Sequence, residues 1–266
     1  MRAKCSSRKT KGSRSNAFDD WRTGENMTIR AVVFDAYGTL FDVYSIGALA
    51  EKLYPGQGAA IANLWRDKQI EYTRLITMSD PHSAGGSKHY QSFWEITRVA
   101  LHYTLQRLKL DVTDANAKDN IEALMQQYAH LTAFPENVGV LQALKAQGIT
   151  TAILSNGSRD MLDSAVSSAG MSDLLDHVIS IETVRRFKTC PESYGLVQQV
   201  IPAISEEILF VSSNAWDALG ATWFGFSTLW VNRQGLPFEA IGPRPTYTGN
   251  DLREVLSVVG PSPAGE

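Results

Sequence analysis

A group of polar residues that could do nucleophilic chemistry follows a short apolar run near residue 30. The run Ala31–Phe34 is typical of a buried strand, and it ends at Asp35, with Gly38 and Thr39 in the turn that follows. A carboxylate in this position can attack an electrophile and form a covalent ester or acyl-phosphate that water later releases. An Asp after a strand also commonly caps the next turn, so this segment alone leaves both interpretations open.

Three later segments place further polar groups at the ends of predicted strands. They are Ser155-Asn156, Lys188 and the run Ser212-Ser213-Asn214-Ala215-Trp216-Asp217. Lys188 offers a cation and Asp217 a second carboxylate, while the others offer hydrogen-bonding groups that can stabilise a reacting carboxylate. Ligands of open α/β sheets bind where the strands end, so the order of these segments predicts one shared crevice.

Strand and helix patterns alternate from residue 138 onward, which predicts an α/β fold with a parallel sheet covered on both faces. The predicted helices cover 138–147, 159–169, 191–200 and 215–222, and the predicted strands cover 149–154, 177–181, 208–211 and 226–231. Ser158 is a predicted side-chain cap for the second of these helices.

Helical sequence interrupts this alternation between the first strand and residue 133. Helices are predicted within 58–78, 90–108 and 116–131, and the apolar stripe of the first consists of Ile61, Leu64, Trp65, Tyr72, Leu75 and Ile76. Arg66 and Ile70 lie on a different face, where they would line a pocket unless Arg66 is simply solvated. We therefore predict a Rossmann-like core at 27–42 and 133–260 with an inserted helical cap domain at 43–132.

Charge and composition exclude several other classes of protein. Residues 1–26 have a net charge of +4, and residues 27–266 have a net charge of −7. The segments 1–26 and 261–266 are predicted to be disordered. An acidic body argues against nucleic acid as a partner, and no apolar run approaches the roughly 18 to 20 residues of a membrane span. Two cysteines in unrelated contexts and the lack of a secretory pattern favour a cytoplasmic protein.

Taken together, these motifs resemble the haloacid dehalogenase superfamily. Most of its members are phosphatases, which carry a general acid two residues after the nucleophile and an acidic metal ligand in the last motif. Here those positions are Tyr37 and Ser213, so a phosphatase would lack its acid and have a weakened metal site. A phosphatase with divergent motifs and a catalytically silent binding protein remain the alternatives.

Both departures fit the L-2-haloacid dehalogenase branch, which the chain resembles over about residues 29–233. The matching motifs are Phe-Asp-Ala-Tyr-Gly-Thr-Leu-Phe-Asp-Val, Leu-Trp-Arg-Asp-Lys-Gln-Ile-Glu-Tyr-Thr, Ile-Leu-Ser-Asn-Gly-Ser and Phe-Val-Ser-Ser-Asn-Ala-Trp-Asp, together with Lys188 and Tyr194. The resemblance implies hydrolysis of short L-2-haloalkanoic acids to D-2-hydroxy acids, with no metal or other cofactor, by a homodimer. A halide leaves without a proton, which makes an acid at position 37 dispensable.

The resemblance also implies a role for each matching residue. Asp35 would be the nucleophile, Arg66 and Asn156 would hold the departing halide, and Asp217, helped by Lys188, would activate the water that hydrolyses the ester. Ser155 and Lys188 match residues that bind the substrate carboxylate and orient the nucleophile. The remaining matches are Thr39, Ser212 and Asn214, which would support the nucleophile, Tyr194, whose hydroxyl would reach the site, and the pocket-lining positions Tyr37, Ile70, Phe93 and Trp216.

Three features depart from that branch. Thr-Cys-Pro follows Lys188 where Pro-x-Pro is usual, and Asp67 follows Arg66 where Gln is common. The loop 79–88 is about eight residues longer than usual, and we expect it to change access to the site and chain-length preference. Cys190 is interpreted as a packing thiol, because no histidine partner is readable nearby.

Overall fold

A computed structural model describes residues 28–260 and contains one parallel sheet in the strand order β3-β2-β1-β4-β5-β6. The strands are β1 Ala31–Phe34, β2 Thr150–Ser155, β3 His177–Ser180, β4 Ile208–Ser212, β5 Ser227–Val231 and β6 Tyr247–Gly249. Every residue of β1 and β4 is buried, as expected for central strands covered by helices on both faces. The α/β fold predicted from the sequence is confirmed.

The register of the central strands decides which side chains meet. Phe34, the last residue of β1, lies opposite Ile153 of β2 and Val211 of β4. The next residue, Asp35, donates its backbone N–H to the carbonyl of Val211 over 2.9 Å. The polar residues that end β1, β2 and β4 therefore lie side by side at one edge of the sheet.

Four helices separate β1 from the rest of the sheet, and they pack on one another. They are α1 Ile46–Leu53, α2 Gly58–Ser79, α3 Phe93–Arg107 and α4 Ala115–Ala129. The start of α3 is fixed by a capping box, in which Ser92 and Glu95 exchange side-chain and backbone hydrogen bonds. The helices that follow are α5 Asn137–Ala146, α6 Arg159–Ser168, α7 Pro191–Val200, α8 Ala215–Phe224 and α9 Glu254–Val259.

The two crossings between the helical insertion and the sheet are paired with each other. The N–H of Asp42 donates to the carbonyl of Thr132 over 2.8 Å. The N–H of Phe134 donates to the carbonyl of Leu40 over 3.1 Å. These two hydrogen bonds bring the segments around Asp42 and Thr132 side by side. The domain limits 27–42, 43–132 and 133–260 stay a prediction. The predicted disorder of 1–26 and 261–266 falls outside the described residues.

Several local predictions were wrong for identifiable reasons. Helix α1, helix α9 and the three-residue strand β6 were missed because such short elements carry too little periodicity. Ser158 does precede α6, but its side chain makes no capping hydrogen bond. Leu75 is 57 % exposed rather than part of the buried stripe of α2, whose inner face instead includes the polar side chains of Lys68, Gln69 and Thr73.

Candidate active site

Asp35 lies at the end of β1 with three side-chain donors on its carboxylate. Its Oδ2 accepts hydrogen bonds from Thr39 Oγ1 at 3.0 Å and Asn214 Nδ2 at 2.8 Å, and its Oδ1 accepts one from Lys188 Nζ at 3.1 Å. The backbone N–H of Ser213 donates to Thr39 Oγ1, which leaves the threonine proton for Asp35. Donors on both oxygens fix the orientation of the carboxylate.

Gly38 permits the close approach of Asn214 to this carboxylate. Its backbone has a φ of +98°, a conformation that side chains rarely adopt, and a Cβ there would lie 3.3 Å from Asn214 Nδ2. The Gly in the turn after β1 therefore has two reasons to be there, one conformational and one steric.

Lys188 is a buried cation shared by two carboxylates. Its Nζ lies 3.1 Å from Asp35 Oδ1 and 3.0 Å from Asp217 Oδ2, and its side chain is fully inaccessible to solvent. The backbone N–H of Lys188 donates to Asn156 Oδ1 over 2.9 Å, so the loop after β2 holds the lysine in place. Removing either carboxylate would leave the cation with a single anionic partner inside the protein.

Asp217 projects from the first turn of α8 and is completely buried. Burial raises its pKa to about 6, and the Asp35 carboxylate acts in the same direction, while the Lys188 ammonium and the Tyr194 hydroxyl lower the pKa. Tyr194 Oη donates to Asp217 Oδ1 over 2.7 Å, and burial together with Asp217 raises the pKa of Tyr194 well above its ordinary value. An acid with a pKa near neutrality suits proton transfer, and the tyrosine stays a donor.

The space for the Tyr194 hydroxyl is provided by Gly220 on α8. A Cβ at this position would lie 2.5 Å from Tyr194 Oη and 2.8 Å from Thr189 Cγ2. Because real Cβ atoms do not approach this closely, any larger residue at position 220 would move the tyrosine or the segment next to Lys188.

Arg66 reaches the same site from α2, in the helical insertion. It is only 8 % exposed, and its Nη2 donates to the carbonyl of Tyr37 at 3.0 Å and to Asn214 Oδ1 at 3.2 Å. Asn214 thus bridges Asp35 and Arg66 through the two ends of its amide. The structure brings the predicted anion-binding arginine within one side chain of the predicted nucleophile, which excludes a simply solvated Arg66.

Ser155, Asn156 and Ser212 occupy the strand ends but make no hydrogen bond to Asp35. Ser155 Oγ accepts from the N–H of Gly157 at 3.0 Å, and Ser212 Oγ accepts from the N–H of Asn214 at 3.2 Å. Asn156 accepts from Lys188, as described above, and makes no hydrogen bond to Arg66. In this structure these three side chains shape the loops, and their proposed roles toward substrate and halide stay predictions.

The four predicted pocket-lining residues fall into two pairs. Ile70 and Trp216 line a cleft of about 1250 Å³ that also borders Arg66 and Asn214. Tyr37 and Phe93 lie behind it, with ring centroids 5.6 Å apart and almost no exposed surface. Tyr37 also stacks on Tyr128, so its ring is part of the packed interior, and burial raises its pKa well above the ordinary value.

The long loop 79–88 lies against the segment that leads to Lys188. Arg186, which is 4 % exposed, donates to the carbonyls of Asp80 at 3.2 Å and Ser83 at 2.6 Å, and the N–H of Ser87 donates to the carbonyl of Arg185. No residue of 79–88 lines the cleft beside Arg66. Its effect on chain-length preference stays a prediction, and the contacts place it beside the lysine segment.

Cys190 fits the interpretation as an unreactive thiol. Burial, together with the neighbouring Glu192 carboxylate that accepts a hydrogen bond from the thiol at 2.7 Å, raises the pKa of Cys190 to about 11. A thiol with a raised pKa is a poor nucleophile at neutral pH.

Residues 28–260 show neither a metal-binding cluster nor a membrane-spanning helix. This part of the chain contains no group of three or more His, Cys, Asp or Glu side chains placed to hold a metal ion. Between Asp35 and Asp217 the space is filled by the ammonium group of Lys188. No helix in the same range is both long and apolar enough to span a bilayer.

Comparison with known proteins identifies the class to which this fold and site belong. The family model of haloacid dehalogenase-like hydrolases matches residues 29–225, and the chain belongs to this family. Its relatives include the (S)-2-haloacid dehalogenase H-109 of Pseudomonas putida, which is 43 % identical over 227 residues, or 85 % of this chain and 96 % of the relative. The predicted resemblance to haloacid dehalogenases is confirmed.

Solved structures agree with this assignment. The L-2-haloacid dehalogenase RSc1362 has 51 % sequence identity and a TM-score of 0.82, covering 87 % of this chain and 99 % of its own. An L-2-haloacid dehalogenase from Xanthobacter autotrophicus, with chloropropionic acid covalently bound, has 37 % identity and a TM-score of 0.75 over 85 % of this chain and 96 % of its own.

One residue in contact with the site was missed by the sequence reasoning. Gln69 is 1 % exposed and its Oε1 accepts a hydrogen bond from Arg66 Nη1 at 2.8 Å. The available signal was its position three residues after Arg66 on the same helix, where side chains meet. A polar residue on a mostly buried helix face needs a partner, and the arginine was the candidate within reach.

Proposed function

We propose that this protein hydrolyses the carbon–halogen bond of short L-2-haloalkanoic acids and releases D-2-hydroxy acids. The observation that carries the proposal is the buried Asp35 carboxylate, oriented by three donors and linked through Lys188 to Asp217. The family, the curated relatives and the neighbour that holds covalently bound chloropropionic acid support the same reaction.

In the first step, a carboxylate oxygen of Asp35 attacks C2 of the substrate from the side opposite the halogen. A carbon–oxygen bond forms, the carbon–halogen bond breaks, and the halide leaves with the bonding electron pair. Displacement from the rear inverts C2, which converts the L-haloacid into the D-configured ester. Arg66 is the cation proposed to receive the halide with Asn156, and Ser155 and Lys188 are proposed to bind the substrate carboxylate.

In the second step, water attacks the carbonyl carbon of the Asp35 ester. Asp217 accepts a proton from this water, and its raised pKa makes it a competent base near neutral pH. The tetrahedral intermediate then expels the hydroxy acid, whose alkoxide takes up a proton, and the Asp35 carboxylate is restored. Thr39 and Asn214 are proposed to support Asp35 during this step, with Ser212 acting through the backbone of Asn214.

Isotope labelling tests the ester mechanism directly. In a single turnover with enzyme in excess in ¹⁸O-water, the heavy oxygen should enter Asp35 and the hydroxy acid should stay unlabelled. Peptide mass spectrometry locates the label, and chiral analysis of lactate from L-2-chloropropionate checks the inversion. Heavy oxygen in the product after one turnover would instead mean that water attacks C2 directly.

The divergent-phosphatase alternative is not favoured. The position of the phosphatase general acid is occupied by Tyr37, whose ring packs between Phe93 and Tyr128. Chloride release should therefore continue in EDTA, while a generic phosphomonoester should release no phosphate with added Mg²⁺. Phosphate release that depends on Mg²⁺ would favour the phosphatase.

We also propose that the enzyme works without a cofactor, as a cytoplasmic homodimer. The dimer rests on the resemblance to L-2-haloacid dehalogenases, and the location rests on the cysteine content. Analytical ultracentrifugation measures the oligomeric state, and a monomer at micromolar concentration would contradict this part of the proposal.

A further inference from the structure

Gln69 connects Arg66 to two other helices of the insertion through a buried hydrogen-bond chain. Its Oε1 accepts from Arg66 Nη1 at 2.8 Å and from Tyr128 Oη at 3.1 Å, and its Nε2 donates to Thr97 Oγ1 at 2.6 Å. Thr97 Oγ1 in turn donates to the carbonyl of Phe93 at 2.6 Å. The hydrogen-bond chain that ends at Arg66 thus contains side chains from α2, from α3 (Thr97) and from α4 (Tyr128).

These partners determine which way the Gln69 amide points. The threonine proton is committed to the Phe93 carbonyl, so Thr97 Oγ1 can only accept from the amide nitrogen. Arg66 and Tyr128 both donate, so they need the amide oxygen. Turning the amide around would place a donor against the Arg66 donor and an acceptor against the Thr97 oxygen, and each lost hydrogen bond inside the protein is costly.

The acceptors around Arg66 are all electrically neutral. They are the Gln69 amide oxygen, the Tyr37 carbonyl and the Asn214 amide oxygen. Within residues 28–260, no carboxylate oxygen forms an ion pair with the guanidinium within 4.0 Å. Arg66 is therefore a nearly buried cation that is held by hydrogen bonds and keeps its charge available for an anion.

We infer that Gln69 is a positioning residue for the displacement step, because it orients Arg66 toward the leaving halide without neutralising the arginine charge. This inference rests on the proposed function. A carboxylate at position 69 would hold the guanidinium equally well but would compete with the halide for it. The neutral amide is thus the feature on which halide stabilisation depends.

The test compares Gln69→Glu with Gln69→Leu and with the control Gln126→Glu. Gln69→Glu keeps the shape of the side chain and adds a negative charge. Gln69→Leu removes the hydrogen bonds of the amide with little change in size. Gln126 is an exposed residue of α4 whose side chain, within the described part of the chain, bonds only Glu122, so the same change of amide to carboxylate is made there away from the site. Inhibition by added chloride, and kcat for chloro- and bromo-substituted propionate, are measured for each protein.

We expect Gln69→Glu to weaken chloride inhibition about tenfold or more and to lower kcat by about 10²-fold. The loss should be larger for chloride than for bromide as leaving group, because chloride depends more on stabilisation as it departs. Gln69→Leu should show a smaller loss in the same direction, and Gln126→Glu should behave like the parent protein. A merely structural role for Gln69 would leave the chloride inhibition constant and the halogen dependence unchanged, which would overturn the inference.

Two further results keep the test decisive. If Gln69→Glu does not fold, Tyr128→Phe removes one donor from the Gln69 oxygen while it keeps the ring, and it should weaken chloride inhibition by a few fold. An unchanged inhibition constant there would count against the inference. If the parent protein releases no halide from L-2-chloropropionate, the proposed function itself fails, and this outcome is distinct from an active parent with unaffected Gln69 variants.

Discussion

The sheet side and the helical side of the site differ in how their positive charge is balanced. On the sheet side, Lys188 is flanked by the carboxylates of Asp35 and Asp217, and all three side chains are almost completely buried. On the helical side, the Arg66 guanidinium is held by neutral oxygens alone among residues 28–260. The sheet side thus combines compensating charges around the atoms that form the ester, while the helical side retains a positive charge. An enzyme that expels an anion needs both arrangements.

Removing the nucleophile breaks the sheet side completely. We expect Asp35→Asn to abolish halide release, with a loss of at least about 10⁴-fold, because an amide does not displace a halide and the ester cannot form. Chloride release from L-2-chloropropionate is the measurement, with Asp160→Asn as a matched exposed control on α6. Substantial activity of Asp35→Asn would refute its assignment as the nucleophile.

Removing the base should separate the two chemical steps. Asp217→Asn keeps groups that can contact Lys188 and Tyr194 but cannot accept a proton from water, so ester hydrolysis should slow by about 10²- to 10⁴-fold. The ester should accumulate on Asp35 and appear as an added mass in the intact protein, with a burst of about one chloride per site. A variant that is slow without an accumulated ester would place Asp217 before the displacement.

Changing the cation on the helical side tests the other half of the comparison. Arg66→Lys keeps the charge, but an ammonium on a shorter side chain cannot reach the Gln69, Tyr37 and Asn214 oxygens together. We expect kcat/KM to fall by about 10²-fold, with the burst of Asp217→Asn also slowed in the double variant. An unaffected burst would mean that Arg66 does not assist the displacement.

The smallest expected effect concerns the hydroxyl on Asp217. Tyr194→Phe removes a hydrogen bond that lowers the pKa of Asp217, so that pKa should rise above its present value of about 6. Because the protonated acid cannot act as a base, the acid limb of ester hydrolysis should move to higher pH by about one unit, with a loss of about twofold at pH 7 and a larger loss at lower pH. A pH profile that coincides with that of the parent would show that Tyr194 only fills space.

The sequence was informative where chemistry and chain order coincide. Asp35 and Lys188 follow predicted strands and Asp217 lies in the first turn of a predicted helix, and the ends of parallel strands converge, so their meeting was predictable. The resemblance implied that the Tyr194 hydroxyl reaches the site, but not that it donates to Asp217. The Gln69 chain could not be predicted in full, because its partners Thr97 and Tyr128 lie on other helices and their distances depend on how three helices pack.

Other features were hidden for the same reason. Ser155 and Ser212 carry the residue types of a binding site, yet their hydroxyls accept backbone hydrogen bonds, which only the loop conformation reveals. The extra length of 79–88 was visible, but its attachment to Arg186 depends on contacts about a hundred residues apart in the chain. Local patterns thus located the reacting groups, and long-range packing determined what holds them.

The sharing of Lys188 between two carboxylates has a consequence for the order of events. Before reaction, the negative charge of Asp35 opposes ionisation of Asp217. Once Asp35 becomes an ester it is neutral, the repulsion disappears, and Lys188 has only one anionic partner, so the pKa of Asp217 should fall. Asp217 is therefore more completely ionised when there is an ester to hydrolyse than while the nucleophile is free. Formation of the Asp35 ester would then itself activate the base that hydrolyses this ester.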